Sequence, residues 1–175
     1  MTRIFRFVTA IGCSLPGLAY SAETIHPKPS ELLAEIHKSS ARAVIGNYEN
    51  TRTWTDVVLP GIASADSRWL LVDEALYTGA DAGAAEDLES STYAALGVAP
   101  LRVAPLIARL KKLTLREVCN VSFDAEVPPG GALPYLAKIR KGLRAAKTPG
   151  ESMIAKECSL GLDAALNATK SQGIH

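Results

Sequence analysis

The stretch between residues 62 and 100 carries two helical patterns in direct succession, each with its own start and stop signals. Asp66 and Asp81 stand where N-caps are expected, because an aspartate side chain accepts hydrogen bonds from the free amides of a first helical turn. Gly79 and Gly97 fit the left-handed residue that ends many helices, and Pro100 fits the first turn of a third helix. The inward-facing side chains recur every three or four residues in two stripes: Trp69, Val72 and Leu76, then Ala85, Leu88, Thr92 and Leu96. A chain built around this pair is expected to fold as packed helices.

Helical segments are also predicted before this pair. We expect a first helix capped by Ser30, with acidic residues in its first turns, where the helix dipole favours them. This helix is expected to end at Gly46. A second helix is expected to start at Thr53, and Pro60 should kink or shorten it because proline lacks the amide hydrogen that an inner helical position donates.

The segments after this pair complete the predicted fold. A helix over 101–113 is followed by a short helix with a Thr114-x-x-Glu117 capping box. A proline- and glycine-rich loop over 121–131, a basic helix over 133–144, a turn at 148–150 and a last helix follow. Because no segment alternates with a period of two, we predict an all-α fold of seven to eight short helices in stacked antiparallel pairs, with one disulfide. Both an irregular solenoid and a globular bundle fit this pattern.

The first 22 residues have the pattern of a cleaved secretory signal peptide. Arg3 and Arg6 form a basic start, and a short apolar run follows before small residues that suit cleavage. A membrane anchor would need a longer unbroken run, and lipid attachment at Cys13 would leave too few apolar residues before it. We therefore expect residues 1–22 to be removed and residues 23–175 to form a single helical domain. The mature protein should be periplasmic or secreted.

Cys119 and Cys158 are the two cysteines that remain after the expected cleavage. In an oxidising compartment, a disulfide is the simplest interpretation of an even pair. A redox-active pair usually has the C-x-x-C spacing, which is absent here. Two cysteines without clustered histidines also make a poor zinc site. The sequence therefore predicts a structural disulfide, no metal site and no cofactor.

Charge is divided unevenly between the two halves of the chain. Residues 23–100 contain 5 Lys+Arg and 12 Asp+Glu, a net charge of −7, whereas residues 101–175 contain 12 and 6, a net charge of +6. Such asymmetry indicates either a binding surface or two halves that face and neutralise each other. The candidate partner-binding residues are the cations Lys138, Arg140, Lys141 and Arg144 and the acids Asp73, Glu74, Glu86 and Glu89.

The basic residues of 138–147 suit another protein with an acidic surface, or another anionic component of the cell envelope. A helix face that is simply solvated is the alternative. A nucleic acid is not expected as a partner, because few aromatic side chains accompany the charges. After the signal peptide, no stretch is long and apolar enough to span a bilayer.

The recognised motifs of hydrolases, phosphate-binding loops and dinucleotide-binding folds are absent from the chain. A Ser–His–Asp or Cys–His site would have to use His37, and no motif pairs it with a nucleophile, so we interpret it as a solvated side chain. The acidic cluster around Asp73 is the best enzyme candidate, because paired carboxylates can hydrolyse sugars. Asp73 shares a helix face with Trp69, a placement that would bury the carboxyl and raise its pKa. The structural alternative is that Asp73 accepts a hydrogen bond from a neighbouring helix, with Trp54 as a candidate donor.

One resemblance rests on residues of the central part of the chain: Trp54, Val57, Ile62, Asp66, Ser67, Arg68, Trp69, Leu70, Ala75, Leu76, Asp81, Ala82, Leu88, Ala95, Leu96, Pro100 and Cys119. In these positions the chain resembles small exported proteins of Gram-negative bacteria. The resemblance implies export and a helical fold, and it implies no activity. The leading hypothesis is therefore a non-enzymatic helical module that binds another protein in the periplasm. The alternative is a carboxylate-dependent hydrolase that acts on cell-wall glycans.

Overall fold

The computed structural model describes residues 26–123 and 128–172. Its elements, in chain order, are α1 (Pro29–Lys38), α2 (Ala41–Tyr48), a π-helical segment (Trp54–Val58), α3 (Leu59–Ala63), α4 (Ser67–Tyr77), α5 (Ala82–Val98), α6 (Pro100–Lys111), α7 (Leu115–Cys119), α8 (Ala132–Leu143) and α9 (Pro149–Ser171). The described residues contain no β-strand. The all-α prediction is confirmed. The predicted signal peptide lies outside the described residues.

The start signals of the central helix pair act as predicted. The Asp66 carboxylate accepts a hydrogen bond of 2.8 Å from the amide of Arg68 at the start of α4. The Asp81 carboxylate accepts one of 3.2 Å from the amide of Ala84 at the start of α5. Pro100 is the first residue of α6. These caps form because each joins groups only two or three residues apart.

The two glycines predicted to end these helices have other roles. Neither has a positive φ. A Cβ at Gly79 would lie 2.5 Å from the backbone nitrogen of Arg42, so the glycine lets α2 approach closely. Gly97 lies inside α5, which continues to Val98, and a Cβ there would lie 2.9 Å from the Tyr135 ring. Both glycines thus serve packing between helices.

Three further helix boundaries differ from those predicted. The first helix begins at Pro29, not after Ser30, and it breaks at Ser39. Ser40 then caps α2 by accepting a hydrogen bond from Ala43, which adds a helix to the predicted number. Residues 148–150 are not a turn, because Thr148 and Glu151 form a capping box that starts α9. Proline is tolerated at the first position of such a helix because its missing amide hydrogen would have no partner there.

Pro60 lies just after a change of helix type. The π-helical segment runs directly into α3, and the helix continues through Pro60 to Ala63, so the proline does not end it. Because this helical stretch is continuous, the missing amide hydrogen of Pro60 leaves one hydrogen bond unmade inside it. Trp54, which opens the π-helical segment, is only 1% exposed. The wider turn thus accompanies the burial of the largest fully buried side chain among the described residues.

Buried apolar side chains form two clusters. The N-terminal core contains Leu32, Val44, Ile45, Trp54, Val58, Ile62, Val72, Leu76, Ala84 and Leu88. The C-terminal core draws on α6 to α9 and includes Leu96, Val103, Ile107, Leu136, Ile139 and Leu162. Helices α4 and α5 contribute to both cores, so the contact between these two helices joins the two halves of the fold.

The disulfide joins α7 to α9, as predicted. Cys119 and Cys158 are bonded at an S–S distance of 2.03 Å, and both are fully buried. Helix α7 packs along α9, and α9 also contacts α8 and α6. No helix in the described part of the chain combines the length and the apolar character needed to cross a membrane.

Candidate functional site

The four predicted basic residues lie on α8 and at its C-terminal end, beside α9. In α8, the side chains of Leu136, Ile139 and Leu143 turn towards the core. The same helical period places Lys138 and Lys141 on the opposite, exposed side. The helix and its charged face are thus two consequences of one sequence pattern.

Most cations of this surface remain without an acidic partner. Arg140 forms an ion pair with Asp163 of α9. Lys138, Lys141 and Arg144 are exposed and form no ion pair among the described residues. Residues 132–171 contain 7 Lys+Arg and 3 Asp+Glu, a net charge of +4. We call Lys138, Arg140, Lys141 and Arg144 the basic face.

Two exposed apolar side chains lie on α9 beside the basic face. Met153 is 60% exposed and Leu160 is 42% exposed. They are seven residues apart, so they project from the same side of α9, and Lys156 and Asp163 share this ridge. Because Asp163 binds Arg140, the ridge and the basic face adjoin. An open groove runs between α8 and α9, and its lining residues are Arg140, Leu143, Arg144, Ser159 and Asp163.

The cations of α6 behave differently, because two of them neutralise acids of the other half. Arg109 binds both oxygens of Glu74, at 3.0 and 3.1 Å. Lys111 forms an ion pair with Glu89. The alternative in which the two halves neutralise each other therefore holds for α6 and does not extend to α8. Of the predicted acidic partner-binding residues, Glu86 is exposed and unpaired in the described residues.

Asp73 lies in the interior, where no partner or substrate can contact it. Its exposed fraction is 0%, and the Thr92 hydroxyl on α5 lies 2.9 Å from its Oδ2. No donor among the described residues reaches its Oδ1. Burial raises the pKa of Asp73 to about 7, the contact with Thr92 opposes this rise, and the negative charge of Glu74 adds to it. A hydrogen bond does join Asp73 to a neighbouring helix, and its partner is Thr92, not Trp54.

A crevice near Asp73 offers no room for a substrate. Tyr77, Glu89, Thr92, Tyr93 and Lys111 are among its lining residues, and its interior holds about one water molecule. Glu74 and Glu89 point to their own cations, so they do not converge with Asp73 on a cleft. In residues 26–123 and 128–172, His, Cys, Asp and Glu side chains form no group of three suited to a metal ion.

Sequence reasoning missed two features that shape these surfaces. The first is the hydrogen bond of 2.8 Å that the indole of Trp54 donates to Asp87 of α5. The second is the apolar pair Met153 and Leu160, whose exposure depends on which side of α9 packs against its neighbours. The second could have been recognised from two apolar residues spaced seven apart on an otherwise polar face of α9.

No protein-family model, no curated protein and no solved structure matches this chain.

Proposed function

We propose that this chain is an exported, non-enzymatic helical protein that acts as a protein-binding module in the periplasm. The basic face and the adjoining Met153–Leu160 ridge form its contact surface, and the partner is a protein with an acidic patch. The observation that carries this proposal is the exposure of Lys138, Lys141 and Arg144 without an ion pair among the described residues. Export rests on the sequence of residues 1–22.

The combination of charge and exposed apolar area supports a protein partner. Arginine and methionine are enriched in protein interfaces, and methionine adapts its shape to different partners. Cations at the rim accelerate encounter with an acidic surface, while apolar side chains contribute most to retention. An exposed Met153 and Leu160 beside free cations supply both components.

The glycan hydrolase receives less support. A glycosidase requires two carboxyl groups on either side of the sugar bond. Asp73 is buried, and Glu74 and Glu89 are each bound to a cation. A sugar chain cannot reach Asp73 without separating α4 from α5.

The proposal is tested by charge reversal on the basic face. Three forms of the mature, oxidised protein are immobilised and exposed to envelope proteins. The first has the natural sequence. The second is the basic-face variant, Lys138→Glu/Lys141→Glu/Arg144→Glu, and the third is a control, Lys38→Glu/Arg42→Glu/Arg52→Glu. The control reverses the same number of exposed cations in the other half of the molecule. A specific envelope protein should be retained by the natural sequence and by the control, and lost by the basic-face variant.

The ionic strength and a second variant sharpen this result. Binding should weaken as salt rises, since exposed charges are screened over about 8 Å at physiological ionic strength. Met153→Ser/Leu160→Ser should shorten the residence time of the complex with little effect on the rate of association. Equal retention of the partner by the basic-face variant would contradict the proposal. N-terminal sequencing of exported material tests export separately, with a start near Ala22 or Glu23 expected.

A further inference from the structure

The hydrogen bonds around Asp73 fit a neutral acid better than a carboxylate. The Thr92 hydroxyl lies 2.9 Å from Asp73 Oδ2 and 2.6 Å from the carbonyl oxygen of Leu88. A hydroxyl has one proton, so it cannot donate to both acceptors. If Asp73 carries a proton on Oδ2, it donates to Thr92, and Thr92 donates to Leu88. Asp73 Oδ2, the Thr92 hydroxyl and the Leu88 carbonyl then each have a partner, and Asp73 Oδ1 alone has none among the described residues.

The ionised form has no comparable arrangement. The Thr92 proton would have to leave the Leu88 carbonyl, which would then keep only its backbone hydrogen bond within α5. In either form, Oδ1 has no donor within residues 26–123 and 128–172. An unpartnered buried oxygen costs far more free energy when it carries charge than when it belongs to a neutral carboxyl. The geometry therefore favours the protonated side chain.

The charged surroundings offer no compensation. Helix α4 contacts α1, α2, α3, α5 and α6. No residue of α3 titrates. The titratable residues of the other four helices are Glu31, Glu35, His37, Lys38, Arg42, Tyr48, Glu86, Asp87, Glu89, Tyr93, Arg102, Arg109 and Lys111. Those of α4 itself, besides Asp73, are Arg68, Glu74 and Tyr77. None of these forms an ion pair or hydrogen bond with Asp73, because Arg109 and Lys111 bind Glu74 and Glu89.

The position of this acid gives its protonation a structural consequence. Asp73 on α4 meets Thr92 on α5, and these are the two helices that contribute to both cores. We propose that Asp73 is a protonation-dependent lock between α4 and α5. The neutral acid holds the two helices together, and its ionisation loosens the joint between the N-terminal and C-terminal cores.

The direction of the pH effect follows from linkage. The pKa of Asp73 is about 7 in the folded protein, against an ordinary value of 3.8. Between these two pH values the folded protein holds a proton that the unfolded chain has released. The folding equilibrium constant should therefore fall about tenfold per pH unit as the pH rises through this window, and it should level off above it.

The first test uses the natural sequence. Infrared spectroscopy of the folded, ¹³C-aspartate-labelled protein should show a protonated carboxyl band at pH 6 that disappears by pH 9. Amide hydrogen exchange should show protection factors in α4 and α5 that decrease over the same range. A folded protein in which every aspartate is already ionised at pH 6 would overturn the proposal. Unchanged protection across the range would do the same.

The second test uses Asp73→Asn, which keeps the shape of the neutral acid and cannot ionise. Relative to the natural sequence, its folding constant should be nearly independent of pH in this window and at least tenfold larger at pH 8.5. Glu86→Gln removes an exposed, unpaired carboxylate from α5 and is the matched control, which should retain the natural pH dependence. An Asp73→Asn protein that is less stable than the natural sequence at pH 8.5 would show that the carboxylate stabilises the joint and would refute the lock.

Discussion

Replacing Gly161 with alanine should destabilise the protein, although helix propensity alone predicts the opposite. Gly161 lies inside α9, where alanine is favoured over glycine by about 1 kcal/mol. A Cβ at this position would lie 2.1 Å from the carbonyl oxygen of Arg116 and 3.0 Å from the amide nitrogen of Asn120. Both atoms belong to the backbone of α7 and its end, so no side chain can rotate out of the way.

The magnitude follows from how firmly α7 is held. The Arg116 carbonyl accepts a hydrogen bond of 3.0 Å from Asn120, and the Cys119–Cys158 disulfide ties α7 to α9. Relieving the contact requires the two helices to separate by about 1 Å or more, and overpacking of a close-packed interior costs about 1–3 kcal/mol. Because the contact is with backbone, we place the effect at the upper end of this range. After the gain in propensity, we expect a net loss of about 2 kcal/mol.

Thermal unfolding of the oxidised protein measures this loss. For a chain of this size, about 2 kcal/mol corresponds to a fall in Tm of roughly 4–8 °C. Gly46→Ala in α2 is the matched control, because no atom lies within 4 Å of a Cβ built there. It should raise the free energy of unfolding by up to about 1 kcal/mol. If Gly161→Ala melts at or above the natural Tm, the reasoning from close packing is refuted.

Two further predictions concern the cores. Replacing Cys119 and Cys158 together with alanine should lower the free energy of unfolding by about 4 kcal/mol, since their sequence separation is 39 residues. Two reactive thiols in denatured, unreduced protein would contradict the pairing. Trp54→Phe should lower the free energy of unfolding by about 2 kcal/mol, because Asp87 loses the indole donor at 2.8 Å. In a double-mutant cycle measured by urea unfolding, Trp54→Phe should have a much smaller effect when Asp87 is already alanine. Additive effects of the two substitutions would show that this hydrogen bond contributes little.

Tryptophan burial illustrates why the sequence predicted the core only in part. Trp69 was expected to be largely buried, and it is half-buried, packed flat over Gly61. Trp54 is the fully buried tryptophan. Both lie on apolar stripes, so the 3.6-residue period places each on an inner face without ranking them. Their ranking depends on which helix covers each stripe, and only the packing of α5 over the π-helical segment and α3 decides that.

The charged residues show the same limit. The period of α8 correctly predicted that Lys138 and Lys141 are exposed. It could not predict that Arg109 reaches Glu74, a residue 35 positions earlier, because that contact depends on the approach of α6 to α4. Which cations remain available to a partner is therefore a property of the tertiary structure. Function as a binding module stays a proposal that the charge-reversal experiment tests.

The sequence by itself determined the helical class, the caps at Asp66, Asp81 and Thr114, and the pairing of the only two cysteines beyond the predicted signal peptide. The helices and their caps depend on interactions between residues at most about four positions apart. The two cysteines pair because neither has another cysteine to bond beyond the predicted signal peptide. Tertiary structure alone decided that Gly79 and Gly97 serve close approach and that α4 and α5 join two cores. It also placed Asp73 against Thr92, with no ion-pair partner for Asp73 in the described part of the chain. Those outcomes depend on distances between segments far apart in the chain, which no local pattern encodes.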